Sequence, residues 1–204
     1  MWTVGVAGPA GSGKSTVCRM LARRPGVAHV DCDQLAWATY RPGGPAYAQL
    51  VAQFGEGVLR PDGAVNRARL ARSVLADPMA RAALEDIVHP RVVEAVRRRA
   101  EGHRRAGTRW LLVEGALLVS SRHVPWGEFD AFAWLAVPEE ERRRRLLAAG
   151  LPPDQVEVRL AAQRDLVPPK DPKVHLVDGC APPAKVADRL LALLQAMGGS
   201  SPPD

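Results

Sequence analysis

Residues 8–15 read Gly8-Pro9-Ala10-Gly11-Ser12-Gly13-Lys14-Ser15, and this octet decides the fold of the chain. The octet fits the pattern GxxxxGK[ST] at every defined position. It follows a short apolar run, Trp2 to Ala7, and it precedes Val17, Met20 and Leu21, which recur at helical spacing. This strand–loop–helix context predicts a phosphate-binding loop rather than a glycine-rich turn without a ligand.

The loop suits a nucleoside triphosphate. Its glycines let the backbone turn tightly and direct N–H groups inward, toward phosphate oxygens. The following helix points its positive dipole end at the same oxygens. Lys14 can reach the β- and γ-phosphates as a catalytic group, and the Ser15 hydroxyl can coordinate Mg²⁺. The predicted nucleotide-binding residues are Gly8, Pro9, Ala10, Gly11, Ser12, Gly13, Lys14, Ser15 and Thr16.

Composition narrows the class of protein. The 204 residues carry a formal net charge of +6, with 47% hydrophobic and 25% charged residues, which fits a globular protein that prefers anionic partners. Cys18, Cys32 and Cys180 form no CxxC pattern, so we expect neither a disulfide framework nor a zinc site. Apolar stretches are too short to span a bilayer, and the loop comes too early to leave room for a signal peptide. We expect a cytoplasmic protein with no membrane partner.

Apolar runs alternate with helical patterns along the chain, and this predicts an α/β fold. Strands are expected at 2–7, 27–31, 110–113, 131–137 and 173–177, and helices at 14–23, 139–149, 154–166 and 185–197. The alternation indicates a P-loop NTPase-type parallel sheet that is flanked by helices on both faces.

The stretch between the second and third strands is too long for a simple crossover. Residues 34–106 are almost wholly helical in pattern, and Pro90 is expected to begin the long helix that carries Arg97 to Arg99. We therefore predict a single domain with a helical substrate-binding insertion. Its predicted parts are a core at 1–33, 108–138 and 173–197, the insertion at about 34–107, a lid at about 139–166 and a disordered tail at 198–204.

Two carboxylates, Asp31 and Asp33, stand at the end of the second strand. The sequence lacks the Asn-Lys-x-Asp segment with which GTPases read their base, and it is short for a motor or AAA protein. A small P-loop kinase remains, in which a carboxylate beyond the second strand activates the acceptor hydroxyl. Asp33 is placed for that role. The alternative for Asp33 is the N-cap of a helix that begins at Gln34.

Beyond the loop, the sequence resembles the dephospho-coenzyme A kinase family. The segment Gly5 to Val17 is similar to the family's opening, and Asp31-Cys32-Asp33 resembles its Asp-x-Asp motif. The likeness covers most of the chain and is strongest up to Val92. Its more specific matches are Pro42-Gly43-Gly44-Pro45-Ala46-Tyr47, Phe54-Gly55, Asp62-Gly63-Ala64-Val65-Asn66-Arg67, Leu70, Leu84-Glu85 and His89-Pro90.

The resemblance implies a five-stranded parallel sheet, a helical coenzyme-binding subdomain and a mobile lid. It also implies transfer of the γ-phosphoryl group of ATP, with Mg²⁺, to the ribose 3′-hydroxyl of dephospho-coenzyme A, with Asp33 as the base. Asn66, Arg67, His89 and Pro90 become substrate-binding candidates. Each has a plainer alternative, because Asn66 and Arg67 stand where a helix begins, Pro90 suits a helix start, and His89 suits a cap or a buried polar site.

Some positions depart from the family pattern. Ala7 stands where the family usually has Thr, and Ser120 replaces the Glu of its Pro-Leu-Leu-Phe-Glu motif. Glu114, at the end of the third strand, is therefore the carboxylate that we expect near Mg²⁺. We count it among the substrate-binding candidates. A structural hydrogen-bond acceptor is an equal alternative for Glu114.

The lid arginine that the family places before Gly150 is replaced by Ala148 or Ala149. Other arginines of the lid are expected to supply the charge, because planar guanidinium groups suit phosphate oxygens. We take Arg142 and Arg145 as ATP-binding candidates, although a solvated helix face is the plainer role for any one arginine. The full set is Arg142, Arg143, Arg144, Arg145, Arg159 and Arg164.

Two other functions stay open at this point. One is a P-loop kinase of another small hydroxyl metabolite or nucleoside, and the other is a catalytically impaired nucleotide-binding protein. The expected partner is dephospho-coenzyme A, bound by a monomer or weak homo-oligomer. Nucleic-acid binding is not expected, because Trp2, Trp110 and Trp134 lie in strand patterns and belong to the core.

Overall fold

The structure is a computed structural model that describes residues 1–116 and 118–198, without the side chains of residues 75 and 76. Its described residues divide into two compact units. The core unit comprises 1–31, 99–121 and 125 onward, and the helical unit comprises 32–98 and 122–124. The predicted insertion at 34–107 therefore overlaps the helical unit, with different bounds.

The elements follow one another in a strand–helix alternation that the helical unit interrupts. In chain order they are β1 (Trp2–Ala7), α1 (Lys14–Leu21), β2 (Val27–Asp31), α2 (Cys32–Thr39), α3 (Tyr47–Phe54), α4 (Arg67–Ala76), α5 (Pro78–Arg105), β3 (Trp110–Glu114), β4 (Ala131–Ala136), α6 (Glu139–Ala148), α7 (Pro153–Ala162), β5 (Val174–Asp178) and α8 (Pro183–Gly198), with 3₁₀ turns at Glu56–Val58 and Trp126–Glu128.

The core unit is built on a five-stranded parallel sheet of order β2-β3-β1-β4-β5, which confirms the predicted fold class. Every residue of β3 is buried, as expected for strands that helices cover on both faces. Because β1 is the central strand, the glycine loop leaves the sheet between the ends of β3 and β4.

Helices α1 and α8 bury one apolar face each in the largest hydrophobic cluster of the core unit. On α8, Leu190 and Leu194 lie one turn apart and are fully buried. Burial of one such side chain stabilises the fold by about 1.5–3 kcal/mol. The predicted core positions of Trp110 and Trp134 are confirmed, since both are buried, while Trp2 is partly buried.

The helical unit has its own apolar core. Its buried residues come mainly from α3, α4, α5 and one 3₁₀ turn, and they include Leu50, Leu70, Ile87 and Val92, with α2 packed against them. Leu59 and Val65 form an isolated antiparallel bridge in this unit, which the helical pattern did not predict.

The prediction that Pro90 begins the long helix is wrong. Helix α5 begins at Pro78, and the Asp77 carboxylate accepts a hydrogen bond from the Met79 N–H at 2.8 Å. Pro90 lies inside α5, where it has no N–H to donate to the preceding turn. Val88 and Val92 are buried on either side of Pro90, so packing holds the helix through the proline.

Other predicted bounds shift by a few residues. Helix α1 ends at Leu21 rather than Arg23, and α7 ends at Ala162 rather than Leu166. Gly198, predicted to open a disordered tail, is the last residue of α8, and the rest of that predicted tail lies outside the described residues. Within the described ranges, no helix combines the length and the apolar character that crossing a membrane requires.

Candidate functional site

The glycine loop joins β1 to α1 and is closely enclosed by the core unit. A Cβ atom at Gly8 would lie 2.8 Å from the Leu135 carbonyl oxygen, and one at Gly11 would lie 2.8 Å from the Arg142 carbonyl oxygen. Both glycines also have positive φ angles, of 138° and 80°. Only glycine satisfies both conditions, so the loop lies between β4 and α6 with its amides near the start of α1.

Lys14 is held across the loop. Its side chain is only 9% exposed, and its Nζ donates to the Pro9 carbonyl oxygen at 3.1 Å and to Ser12 Oγ at 3.5 Å. A buried ammonium group on these partners places positive charge where the loop can receive a polyphosphate. Thr16, the last predicted residue of the loop site, is exposed on α1.

The structure brings Ser15 and Glu114 together. Ser15 Oγ donates to Glu114 Oε1 at 2.5 Å, and His29 Nε2 lies 2.9 Å from Glu114 Oε2. Burial opposes ionisation of Glu114, but the hydrogen bonds from His29 and Ser15 and the charge of Lys14 outweigh it and lower the pKa of this carboxyl group. The result is an ionised, 5% exposed carboxylate beside the loop hydroxyl.

The sequence did not single out His29, although strand register explains its position. His29 pairs with Leu112, and Asp31 pairs with Glu114, so His29 and Glu114 are diagonal neighbours across two parallel strands. The Cys18 thiol completes a group whose potential ligand atoms all lie within 4.8 Å of one another. Burial raises the pKa of Cys18 well above its usual range, so this thiol stays protonated, and a protonated thiol is a poor metal ligand.

Oxygen donors are the ligands that Mg²⁺ prefers, and the pair of Ser15 and Glu114 supplies a hydroxyl and an ionised carboxylate. The residues present therefore fit that ion. Whether Glu114 serves the metal or only orients Ser15 stays a prediction, since both uses agree with the same hydrogen bond.

The two predicted lid arginines occupy different surroundings. Arg145 donates to the carbonyl oxygens of Gly179 at 2.9 Å, Cys180 at 3.3 Å and Ser12 at 3.5 Å, and its Nε donates to Glu141. Arg145 therefore connects the glycine loop to the turn after β5.

Arg142 is instead buried without matching partners. It is 6% exposed, its Nε and Nη1 have no hydrogen-bond partner, and its Nη2 lies 3.9 Å from Glu139. Arg142 lines a cavity of about 610 Å³ together with Pro9, Trp134 and Asp178, within the size range of small-molecule sites. Burial lowers the pKa of Arg142 more than the Glu139 carboxylate raises it, so its charged form is only partly stabilised.

Neighbouring lid residues differ from this pair. The partly exposed Arg143 bonds to Glu139 and Glu157, and the exposed Arg144 bonds to Glu141.

Gln163, which the sequence analysis did not single out, accepts a hydrogen bond from the Ala10 N–H at 2.6 Å. No local pattern marks a glutamine for such a contact, because it depends on where α7 ends.

In the helical unit, Asp33 is exposed in the first turn of α2, which begins at Cys32. It therefore does not cap a helix that starts at Gln34, as the alternative had it. Arg67 is the first residue of α4, and its guanidinium carbon lies 4.1 Å from the centre of a Trp37 ring. The capping alternative for Asn66 is confirmed, because its side chain accepts from the Arg69 N–H at 3.2 Å.

His89 and Pro90 lie in the middle of α5, so neither begins nor caps that helix. The His89 ring lies 5.9 Å from the His123 ring, edge to face, and burial lowers the pKa of His89. His123 in turn bonds to the Asp86 carboxylate at 2.8 Å. This cluster fixes the side chain of His89, while Pro90 is exposed.

A glycine loop at the end of the central strand, closed by a buried lysine and a serine–carboxylate pair, defines a P-loop nucleotide-binding protein of the small-kinase class. The chain belongs to the dephospho-CoA kinase family. The model of that family matches residues 2–168.

Individual relatives agree with this family. A dephospho-CoA kinase of Symbiobacterium thermophilum is 38% identical over 96% of this chain and 80% of its own length. One of Moorella thermoacetica is 40% identical over 80% of this chain and 76% of its own. The crystal structure of a Thermus thermophilus protein, TT1252, matches 96% of this chain and 97% of its own at 29% identity, with a TM-score of 0.72.

Proposed function

We propose that this protein transfers the γ-phosphoryl group of ATP to the ribose 3′-hydroxyl of dephospho-coenzyme A, giving coenzyme A and ADP. Family membership gives the reaction class. One observation carries the proposal: buried Lys14 lies in the glycine loop next to Ser15, and Ser15 is hydrogen-bonded to the Glu114 carboxylate of β3. That set suits phosphoryl transfer, in which the protein positions the phosphates and stabilises their charge.

The residues divide the work. Loop amides and Lys14 hold the triphosphate, and Ser15 would hold Mg²⁺ with Glu114 beside it. The ion supplies charge neutralisation for the phosphate oxygens when it is bound. Asp33 accepts the proton of the attacking 3′-hydroxyl as the new P–O bond forms, and the bond to the β–γ bridging oxygen breaks to release ADP. The cytoplasmic location and the weak or absent self-association stay predictions from the sequence.

Coupled ADP release from Mg-ATP tests the proposal. Turnover with dephospho-coenzyme A, and not with a panel of nucleosides and sugars, is the expected result. Turnover with another acceptor would replace the proposed substrate. Tight ATP binding without turnover on any acceptor would favour the impaired nucleotide-binding protein.

His29 is predicted to act through Glu114. His29→Ala removes the donor that holds Glu114 Oε2, so we expect ATP binding to need about 10-fold more Mg²⁺, the low end of the effect of such supporting hydrogen bonds. Calorimetric titration of ATP at a series of Mg²⁺ concentrations measures this. His175→Ala on β5 is the matched strand-histidine control. An unchanged Mg²⁺ requirement in His29→Ala would contradict the prediction.

Arg142 is predicted to lower the stability of the ligand-free protein and to increase its affinity for ATP. Arg142→Met removes a buried guanidinium whose Nε and Nη1 have no hydrogen-bond partner, so we expect the ligand-free protein to unfold about 2–4 °C higher for each kcal/mol gained. We also expect ATP affinity to fall about 10-fold, as loss of a charge-assisted contact does. Thermal unfolding and calorimetry measure both. Arg143→Met, which breaks ion pairs at a partly exposed guanidinium, is expected to change neither value much. A lower unfolding temperature with unchanged ATP affinity would assign Arg142 a purely structural role.

A further inference from the structure

Helix α2 places a carboxylate and an indole one turn apart on the same face. Asp33 and Trp37 stand at positions i and i+4 of α2, and Tyr40 follows in the turn just after the helix ends. Trp37 is 43% exposed, and it is the only aromatic residue among the large hydrophobic side chains left exposed in the described part of the chain. An indole left this accessible beside a proposed catalytic carboxylate calls for a physical account.

The indole is held in place although it is exposed. The Arg67 guanidinium lies 4.1 Å from its ring centre, a cation–π distance. Arg67 opens α4, and the Asn66 cap fixes the backbone at that point. The ring is therefore positioned before any ligand arrives, which lowers the entropy lost on binding.

The same residues form one electrostatic neighbourhood. Burial raises the pKa of Tyr40 to about 12, with Arg67 lowering it and Asp33 raising it in smaller measure. Tyr40 therefore stays neutral. The ionised side chains of this neighbourhood are Asp33 and Arg67. One anionic and one cationic group beside an aromatic plane match a nucleotide, which offers a hydroxyl, a base and a phosphate.

We propose that Trp37 is a specificity-determining residue that stacks on the adenine base of the acceptor, while Asp33 accepts the proton of the 3′-hydroxyl of the same nucleotide. This inference rests on the proposed function. Side chains one helical turn apart are separated by about 5–6 Å at Cβ. In the acceptor, the base is attached to C1′ of the ribose, and C1′ and C3′ are separated by a single ring carbon. The two groups of one nucleoside can therefore meet the two residues of one helix face.

Stacking also predicts what kind of selectivity results. An indole recognises the aromatic plane of a base and offers only its N–H for hydrogen bonding, so it tolerates different bases and rejects acceptors that lack one. Arg67 adds positive charge beside the ring, which suits the pyrophosphate of the acceptor.

The test is a set of variants measured for both substrates. In Trp37→Ala we expect the KM for dephospho-coenzyme A to rise by about 5- to 150-fold, the range for loss of one base-stacking ring, while the KM for ATP stays unchanged. Trp37→Phe keeps a ring and is expected to restore most of the affinity. Met79→Ala, a change at an 81% exposed side chain of the same unit, is the matched control.

Fluorescence separates this inference from the proposed function. Without ATP, dephospho-coenzyme A is expected to quench tryptophan emission of the wild-type protein, and Trp37→Phe is expected to lose most of that quenching. Wild-type turnover with an unchanged acceptor KM in Trp37→Ala would overturn the role of Trp37 alone. A parallel rise of both KM values would also overturn it. Absence of wild-type turnover with dephospho-coenzyme A would instead overturn the proposed function.

Discussion

Asp33→Asn is expected to lower turnover by about 10²–10⁴-fold, the usual contribution of a general acid or base. The amide has nearly the same shape as the carboxylate, but it cannot accept the proton of the attacking hydroxyl. Asp33 is exposed in the first turn of α2, so the substitution removes no buried packing. Because we propose that the glycine loop and Lys14 hold the triphosphate, affinity for ATP is expected to remain nearly intact.

Steady-state kinetics with both substrates, together with calorimetric titration of ATP, measure these two expectations. Asp154→Asn is the matched control, since Asp154 is also an exposed carboxylate in the first turn of a helix, α7. Near-wild-type turnover in Asp33→Asn would show that another group accepts the proton. Equal loss of activity in Asp154→Asn would point to a general effect of lost negative charge.

The sheet was predictable because its strands carry their own signals. Each predicted strand is a short apolar run next to glycine, proline or a helical pattern, and each is observed within a residue of its predicted bounds. The glycine loop was predictable for the same reason, since the pattern that marks it, Gly8 with Gly13-Lys14-Ser15, is contiguous in the sequence.

The start of α5 was missed although the sequence signalled it. Asp77-Pro78 is an N-cap residue followed by proline at the first helical position, which is a stronger start than His89-Pro90. Pro90 would interrupt an isolated helix, but the buried faces on either side of it override that local preference.

The site was predictable only in part, because side-chain partners depend on register and on helix rotation. The position of His29 against Glu114 follows from the offset of β2 on β3, which no single-strand pattern encodes. The contrast between buried Arg142 and hydrogen-bonded Arg145 follows from how α6 meets Gly11 and the turn after β5. A run of four arginines looks the same before those contacts are known.

Lys14→Ala is expected to weaken ATP binding and turnover together, with turnover reduced by about 10²–10³-fold, as when a preorganised charge donor is removed from a transition state. The ammonium group has two roles that the substitution removes at once. In the proposed reaction it neutralises the phosphates, and in the free protein it holds the loop through Pro9 and Ser12. Both substrates' kinetics, ATP titration and thermal unfolding should therefore be measured on the same preparation.

Lys185→Ala, at an exposed position near the start of α8, is the control for loss of one positive charge. Lys14 differs from Lys185 in being buried, so its charge acts at short range with little screening by solvent. If Lys14→Ala kept its affinity for ATP and lost only turnover, the amides and the helix dipole would be sufficient for binding. If Lys14→Ala kept both, the assignment of Lys14 as a catalytic group would be wrong.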